Sequence, residues 1–400
     1  MANIKFSAFT TETNSADVDF LVGFQGTTMK KIAPSNLGGS YPFLIDTNSL
    51  YSGFVPTGLT AGVQGNTFLG ISAGGGGSNM TNCTFIGNFA GNGASICTEN
   101  TFVGKNAGFY TLNKNLNTYI GFDAGYIRGN FNVALGHSAF KAAFSTVDDS
   151  VAIGYLAGSG VTNAAGSVVL IGREAGKTTQ SVGHVGVGYR AGYSHTTGTG
   201  TTNVGYQAGY TATTANDNTN IGYEAGYLNT ANSRVCIGYH AGRNDTGFAN
   251  TFVGLFSGQA SGTGASNTGL GQFSLGALTS GTQNTALGRL AGTTISSGSN
   301  LTVVGYNAEP SSATATNEIT LGNASVTALR IPGLQSGASD GDVLTFASGT
   351  GLITLQAGGG GGGASSLNGL TDCLVDTNSL YVGTVPAGLS GNPQGNTIRY

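Results

Sequence analysis

The unit N-T-x-[aliphatic]-G-x-x-A-G recurs through the middle of the chain. It reads NTFLGISAG from Asn66, NTFVGKNAG from Asn100, NTYIGFDAG from Asn117, NTNIGYEAG from Asn218 and NTALGRLAG from Asn284. Anchored on its central glycine, it falls at positions 70, 87, 104, 121, 136, 154, 172, 188, 205, 222, 238, 254, 271, 288, 305 and 322. That is sixteen copies, 15 to 18 residues apart and most often 17. A short fixed period is the signature of a stacked repeat architecture. Seventeen residues are too few for a helix pair, and G-x-x-A-G is a poor helix former. Two or three short strands joined by glycine turns fit the length. The expected fold class is all-β: an elongated parallel β-solenoid, or β-roll, of sixteen rungs with a 17-residue period. At the ~4.8 Å spacing of neighbouring strands, such a stack is a rod on the order of 75 Å long.

Columns of the aligned repeat carry further expectations. The residue before the central glycine is aliphatic in every copy: Leu69, Ile86, Val103, Ile120, Leu135, Ile153, Ile171, Val187, Val204, Ile221, Ile237, Val253, Leu270, Leu287, Val304 and Leu321. This row is read as the inward-pointing core of the rungs. Three residues after the glycine stands Ala in thirteen copies and Ser in the other three, Ser257, Ser274 and Ser325. A mandatory small residue suits a narrow coil, where a larger side chain would meet the opposite wall. A second glycine follows in twelve copies. Asn stands four residues before the central glycine in eight copies and Thr three before it in ten, as ladders that hydrogen-bond from rung to rung.

Composition excludes several classes. With 70 Gly in 400 residues, no Trp and 8% charged residues, the chain departs from the about 7% Gly and about 25% charge of a typical domain. Gly has no every-third-residue period, so collagen fails. The 39% apolar content and net charge of -3 fit disorder poorly. No apolar run reaches the roughly 18 residues of a membrane span, and the N-terminus lacks a Sec-type signal, so membrane insertion is not expected. The 15 basic and 18 acidic side chains form no basic stripe, which argues against nucleic acid as a partner. Cys83, Cys97, Cys236 and Cys373 show no CxxC spacing and are read as small packed thiols.

The N-T-x-[IVL]-G core resembles the repeats of trimeric autotransporter adhesin heads, which wind parallel β-rolls and associate as three chains. Residues 1–37, MANIKFSAFTTETNSADVDFLVGFQGTTMKKIAPSNL, resemble the N-terminal segment of tail-fibre-like virion proteins from phages of cyanobacteria. The NTxVGxxAG array followed by NEITLGNASVTALRIPG resembles phage fibre shafts. The resemblance implies a homotrimeric virion fibre, a structural phage tail fibre made in the host cytoplasm. It would attach to other virion structural proteins by its N-terminus and contribute to host-cell attachment through a surface receptor or glycan. A bacterial trimeric surface adhesin is the alternative, and a polysaccharide-degrading tailspike a remote one. An ice-binding solenoid would want a flat threonine array, and Thr occupies only one position per rung.

The expected organisation is an N-terminal attachment segment at 1–43, an entrance cap at 44–65 and the shaft at 66–323. A β-rich collar follows at 324–357, then a polyglycine hinge at 358–365 and a duplicated module at 366–400. LIDTNSLYSGFVPTGLTAGVQGNT from Leu44 returns as LVDTNSLYVGTVPAGLSGNPQGNT from Leu374, an offset of 330 residues. Related fibres often end in a self-cleaving chaperone, and no segment of adequate length follows the shaft.

Catalysis finds little support in the sequence. Glycoside hydrolysis needs two carboxylates roughly 5–9.5 Å apart, whereas Glu174 and Glu224 share a rung position three rungs apart, roughly 14 Å. Asp148 and Asp149 read as a solvated loop in an irregular copy. His137, His184, His195 and His240 show neither HExxH spacing nor a nucleophile partner. No enzyme activity, cofactor or metal is expected; calcium β-rolls need periodic aspartates, which are lacking. The candidate contact residues are tyrosines: Tyr155, Tyr189, Tyr206, Tyr223, Tyr239 and Tyr306 follow the central glycine, with Tyr126, Tyr193, Tyr210 and Tyr227 just after the second. Tyr189, Tyr206, Tyr223 and Tyr239 stand on consecutive rungs and form a ladder. That ladder is read as sealing the interface among three chains, with contact to a glycan as the alternative.

Overall fold

The computed structural model describes residues 65–332, except 143–144, 162–165, 181 and 229, together with the backbone of six further strands at 44–45, 50–52, 343–346, 353–356, 373–376 and 379–382. The expected attachment segment at 1–43 and polyglycine hinge at 358–365 lie outside these residues. The chain separates into two compact units, Met1–Asn323 and Ala324–Tyr400.

In the first unit each repeat contributes one three-residue strand, from Thr67–Leu69 to Ile319–Leu321. All sixteen strands pair parallel and in register with the next, as Thr84, Phe85 and Ile86 do with Thr101, Phe102 and Val103. The fold is the expected parallel β-solenoid. Leu50–Ser52 extends the sheet ahead of the array by pairing parallel with Thr67–Leu69. A second strand per rung is confined to Asn79–Thr81 and Ile96–Thr98 among the described residues. Elsewhere the rung closes through consecutive turns, because G-x-x-A returns the Ala90 N–H to the Gly87 carbonyl at 3.2 Å. Rung-to-rung bonding continues past the strands: Thr84 N–H donates to Asn100 O at 2.8 Å and Phe89 N–H to Ile71 O at 2.9 Å. Each rung therefore satisfies its backbone on its neighbours.

The central glycine is required by contact as well as conformation. Gly154 has φ +128°, and a Cβ there would lie 2.6 Å from the carbonyl oxygen of Gly172 in the next rung.

The core is not where the aliphatic row suggested. Side chains alternate across a strand, so the residue before the central glycine and the one three before it share the outer face. The middle strand residue and the asparagine column share the inner one. Phe68, Phe85, Phe102 and Tyr119 are fully buried, while Leu270 is 45% and Leu287 44% exposed. Leu69, Ile86, Val103, Ile120, Leu135, Ile153, Ile171, Val187, Val204, Ile221, Ile237, Val253, Val304 and Leu321 are likewise half-buried or exposed. The invariance of that row reflects a shared outer surface, whereas the true core column varies freely among Phe, Tyr, Ala, Leu, Gly, Asn, Cys and Val.

That variation is compensated inside the coil. A Cβ at Gly108, the second glycine of its copy, would strike the Phe102 ring. Where the core column shrinks to Ala134 and Ala152, the second-glycine position is Phe140. Where it shrinks to Gly269 and Ala286, that position is Leu275, and both large side chains are buried. The small column after the central glycine is buried from Ala73 to Ala308. The asparagine column forms the expected ladder: Asn284 Nδ2 donates to Asn267 Oδ1 at 3.0 Å and to Gly298 O at 2.8 Å, and Asn284 N–H to Asn267 Oδ1 at 3.0 Å.

In the second unit Val343–Phe346 pairs antiparallel with Ile353–Gln356, and Cys373–Asp376 with Ser379–Val382. The duplicated segments adopt one hairpin register: Leu44 opposes Tyr51 as Leu374 opposes Tyr381, and Ile45 opposes Leu50 as Val375 opposes Leu380.

Candidate functional site

Two outer surfaces of the stack differ in chemistry. The first is the strand face, which carries two outward columns. One is Thr, Val or Ile at the start of each strand, and the other is the aliphatic row at its end. Across all sixteen strands neither column contains a charged residue. The surfaces of soluble proteins normally carry interspersed charges, so an uncharged face of this length is unusual.

The second is the corner that follows the central glycine. There the first, second and fifth residues after it meet on the outside. Tyr189, Tyr206, Tyr223 and Tyr239 stack in sequence with ring centroids 5.0, 4.7 and 5.1 Å apart. Tyr193, Tyr210 and Tyr227 form a parallel stack at 5.1 Å intervals. The structure thus stacks seven of the ten tyrosines singled out in the sequence, while Tyr126 packs on Phe109, Tyr155 against His137 and Tyr306 beneath Arg289; Tyr206, Tyr223 and Tyr239 remain exposed. Within a stack the ring faces are taken up by neighbouring rings, so edges and hydroxyls reach solvent.

The sequence reading missed the cations of this corner. Six of them lie over aromatic rings: Lys105 over Phe122, Arg173 between Tyr155 and Tyr189, Lys177 over Tyr193, Arg190 between Tyr189 and Tyr193, Arg243 over Tyr227 and Arg289 over Tyr306, at 5.1–5.8 Å. Lys141 joins them through Asp123 at 2.7 Å. Seven of the eleven Lys and Arg side chains among the described residues are therefore on one corner. Their signal was present in the sequence as basic residues recurring at fixed offsets from the glycine, invisible to a search for consecutive charges.

Glu174 sits inside this corner, held by Arg190 Nε at 2.6 Å and Lys177 Nζ at 3.1 Å. Burial works to raise its pKa, but the two cations outweigh it and the carboxyl titrates below its ordinary value. Glu174 in turn raises both Lys177 and Arg190. Glu224 pairs with Arg243 Nε and lies 3.2 Å from His240 Nε2. That last contact lacks hydrogen-bond geometry, and burial lowers the His240 pKa in spite of Glu224. Both glutamates are thus engaged by neighbouring cations.

Of the remaining histidines and aspartates among the described residues, only His184 and His195 are brought into contact with each other. His184 and His195 are packed inside the coil with centroids 4.4 Å apart, and His195 Nε2 is 2.7 Å from Thr201 Oγ1. His137 stacks between Phe122 and Tyr155. Asp148 Oδ1 accepts from the Asn130 N–H at 2.7 Å. No group of three His, Cys, Asp or Glu residues spaced to hold a metal occurs among the described residues. Cys83, Cys97 and Cys236 are buried and unbridged. No helix among the described residues is long and apolar enough to cross a membrane. No protein-family model and no curated protein matches the chain.

Proposed function

We propose that this chain is the shaft of a homotrimeric virion fibre, of the phage tail-fibre kind, that contributes to attachment at a host surface. The observation that carries the reading is the uncharged strand face. At ~3.3 Å per residue and ~4.8 Å per strand, a face three residues wide and sixteen strands long measures roughly 700 Å². That approaches the ~800 Å² per partner of a stable interface. Three copies turned face to face around one axis cover it and leave the cationic corner outside. The strand face, rather than the tyrosine ladder, is then the association surface. The flanking sequences that resemble phage fibres support the virion setting, and the N-T-x-[IVL]-G core alone would serve a bacterial adhesin equally.

Light scattering on the purified chain tests this. The expected species has three times the 40.0 kDa chain mass, and Ile221→Asp with Val253→Asp splits it to single chains. A wild-type protein of single-chain mass sinks the trimer. Adsorption of the protein to bacteria that host the parent particle, with the particle labelled by antibody to the chain, separates the virion fibre from an adhesin.

A further inference from the structure

We infer that the corner after the central glycine is a docking strip for an acidic polysaccharide, a polymer bearing carboxylate or sulfate groups. The inference rests on the fibre reading for its biological setting but on the corner's own chemistry for its content. Charge is segregated on the stack. The corner holds seven cations against Asp123, Glu174, Glu224 and Glu309. The other surface of the stack carries Lys114 and Arg128 against Glu99, Asp148, Asp149, Asp217 and Glu318, and Arg234 and Asp245 are buried together. A chain of net charge -3 thus presents one positive strip.

Three of the cations, Lys105, Arg173 and Arg289, are exposed and have no carboxylate partner among the described residues. All three follow a central glycine, so they lie on one line along the stack, on rungs three, seven and fourteen. Aromatic rings beneath them limit their rotamers, which reduces the ordering cost when an anion arrives. Between Arg173 and Arg289 run the hydroxyls of Tyr189, Tyr206, Tyr223 and Tyr239, repeating at the strand spacing, and the side-chain amide of Gln207, while Gln272 Oε1 accepts from Arg289 Nε at 3.0 Å. A row of spaced positive charges with hydroxyl and amide groups in between matches an extended polymer that alternates anionic groups with hydroxyls. A neutral glycan would leave the unpaired cations unused. The stacked ring faces are already occupied, so recognition runs through charge and hydrogen bonding, and sugar-ring stacking is confined to the ladder ends.

The test is calorimetric titration of the full chain with alginate, a polymer of uronic acids, and with uncharged dextran and single-stranded DNA of similar length as comparators. Alginate binds, and its affinity falls steeply between about 50 and 200 mM salt; dextran does not bind. Lys105→Gln, Arg173→Gln and Arg289→Gln combined weaken alginate about ten-fold or more, with thermal unfolding and light-scattering mass unchanged. The proposal is overturned if dextran matches alginate, or if the triple variant binds alginate as tightly as wild type. Tighter binding of DNA than of alginate also overturns it and assigns the strip to nucleic acid. A wild-type protein that is monomeric yet binds alginate through these three cations sinks the trimer and leaves the strip standing.

Discussion

The first four rungs and the eighth to tenth share one backbone and enclose opposite interiors. In the first, Phe68, Phe85, Phe102 and Tyr119 stack along the axis at 4.8–4.9 Å with nearly parallel planes. In the second the same column reads Gly186, Asn203 and Asn220, with His184 and His195 beside it, all buried. The apolar core accordingly divides into two clusters, ending at Ala175 and resuming at Ala225, with only the small Ala191, Ala208, Ala212 and Ala215 buried between them. The polar rungs are incompletely bonded. Asn220 Nδ2 donates to Asn203 Oδ1 at 2.8 Å, but Asn203 Nδ2 and both His184 nitrogens have no partner. The backbone ladder fixes the shape of a rung, and the interior column sets how strongly the rung is held. Stability along such a stack is then a sum of local terms.

Measurements can break this comparison. Phe102→Ala opens a cavity in the ring column and is expected to cost about 3–5 kcal/mol in denaturant unfolding; a loss below about 1 kcal/mol would mean the stack closes over the gap.

Acid should attack the middle selectively. Burial drives the pKa of His184 well below its ordinary value and that of His195 to about 4. An unfolded histidine binds its proton below about 6.5, so between about 6.5 and 4 the unfolded chain holds more protons and stability falls as pH drops. His195 alone removes ~3 kcal/mol by pH 4. Protection factors from amide exchange at pH 7 and 4.5 should fall first across residues 184–220. Equal loss across residues 66–121 would remove the distinction between the two interiors.

Gly108→Ala pushes a methyl into the Phe102 ring, with an expected cost of about 1–3 kcal/mol, including the strain of φ +65°. The cost should shrink in a Phe102→Ala background, because the clash disappears while the strain stays. Additive losses in the double-mutant cycle would refute the coupling between the two columns.

The smallest effect is expected from Asn203→Leu with Asn220→Leu, which exchanges a buried polar pair for apolar side chains of similar size. It should be neutral within about 1 kcal/mol or stabilising; a larger loss would show that the polar rungs hold the register.

Period, the central glycine, the small column and the asparagine ladder were legible in the sequence, since each repeats by residue type at a fixed offset; the two or three strands expected per rung were not, because most rungs have one strand and close through turns. The inside of the coil was not. Leu69 and its fifteen counterparts look like a core because they never vary, yet the position one residue earlier is the buried one. Parity along a three-residue strand leaves no longer alternation from which to read the face. Phe140 and Leu275 depart from the second-glycine pattern because the small residues opposite them make room, which is visible only in the coil. The cations of the corner were hidden for a related reason: Lys105, Arg173 and Arg289 are far apart in the chain and aligned only in the stack.

Register has one further consequence. Every rung presents the same hydrogen-bonding edge above and below, so removing residues 250–266 would set Thr268–Leu270 directly on Val235–Ile237, with each column still over its own kind. The stack behaves as a ruler that can be lengthened or shortened by whole graduations through duplication or loss of gene segments. The distance between whatever its two ends hold can change without the fold having to be reinvented.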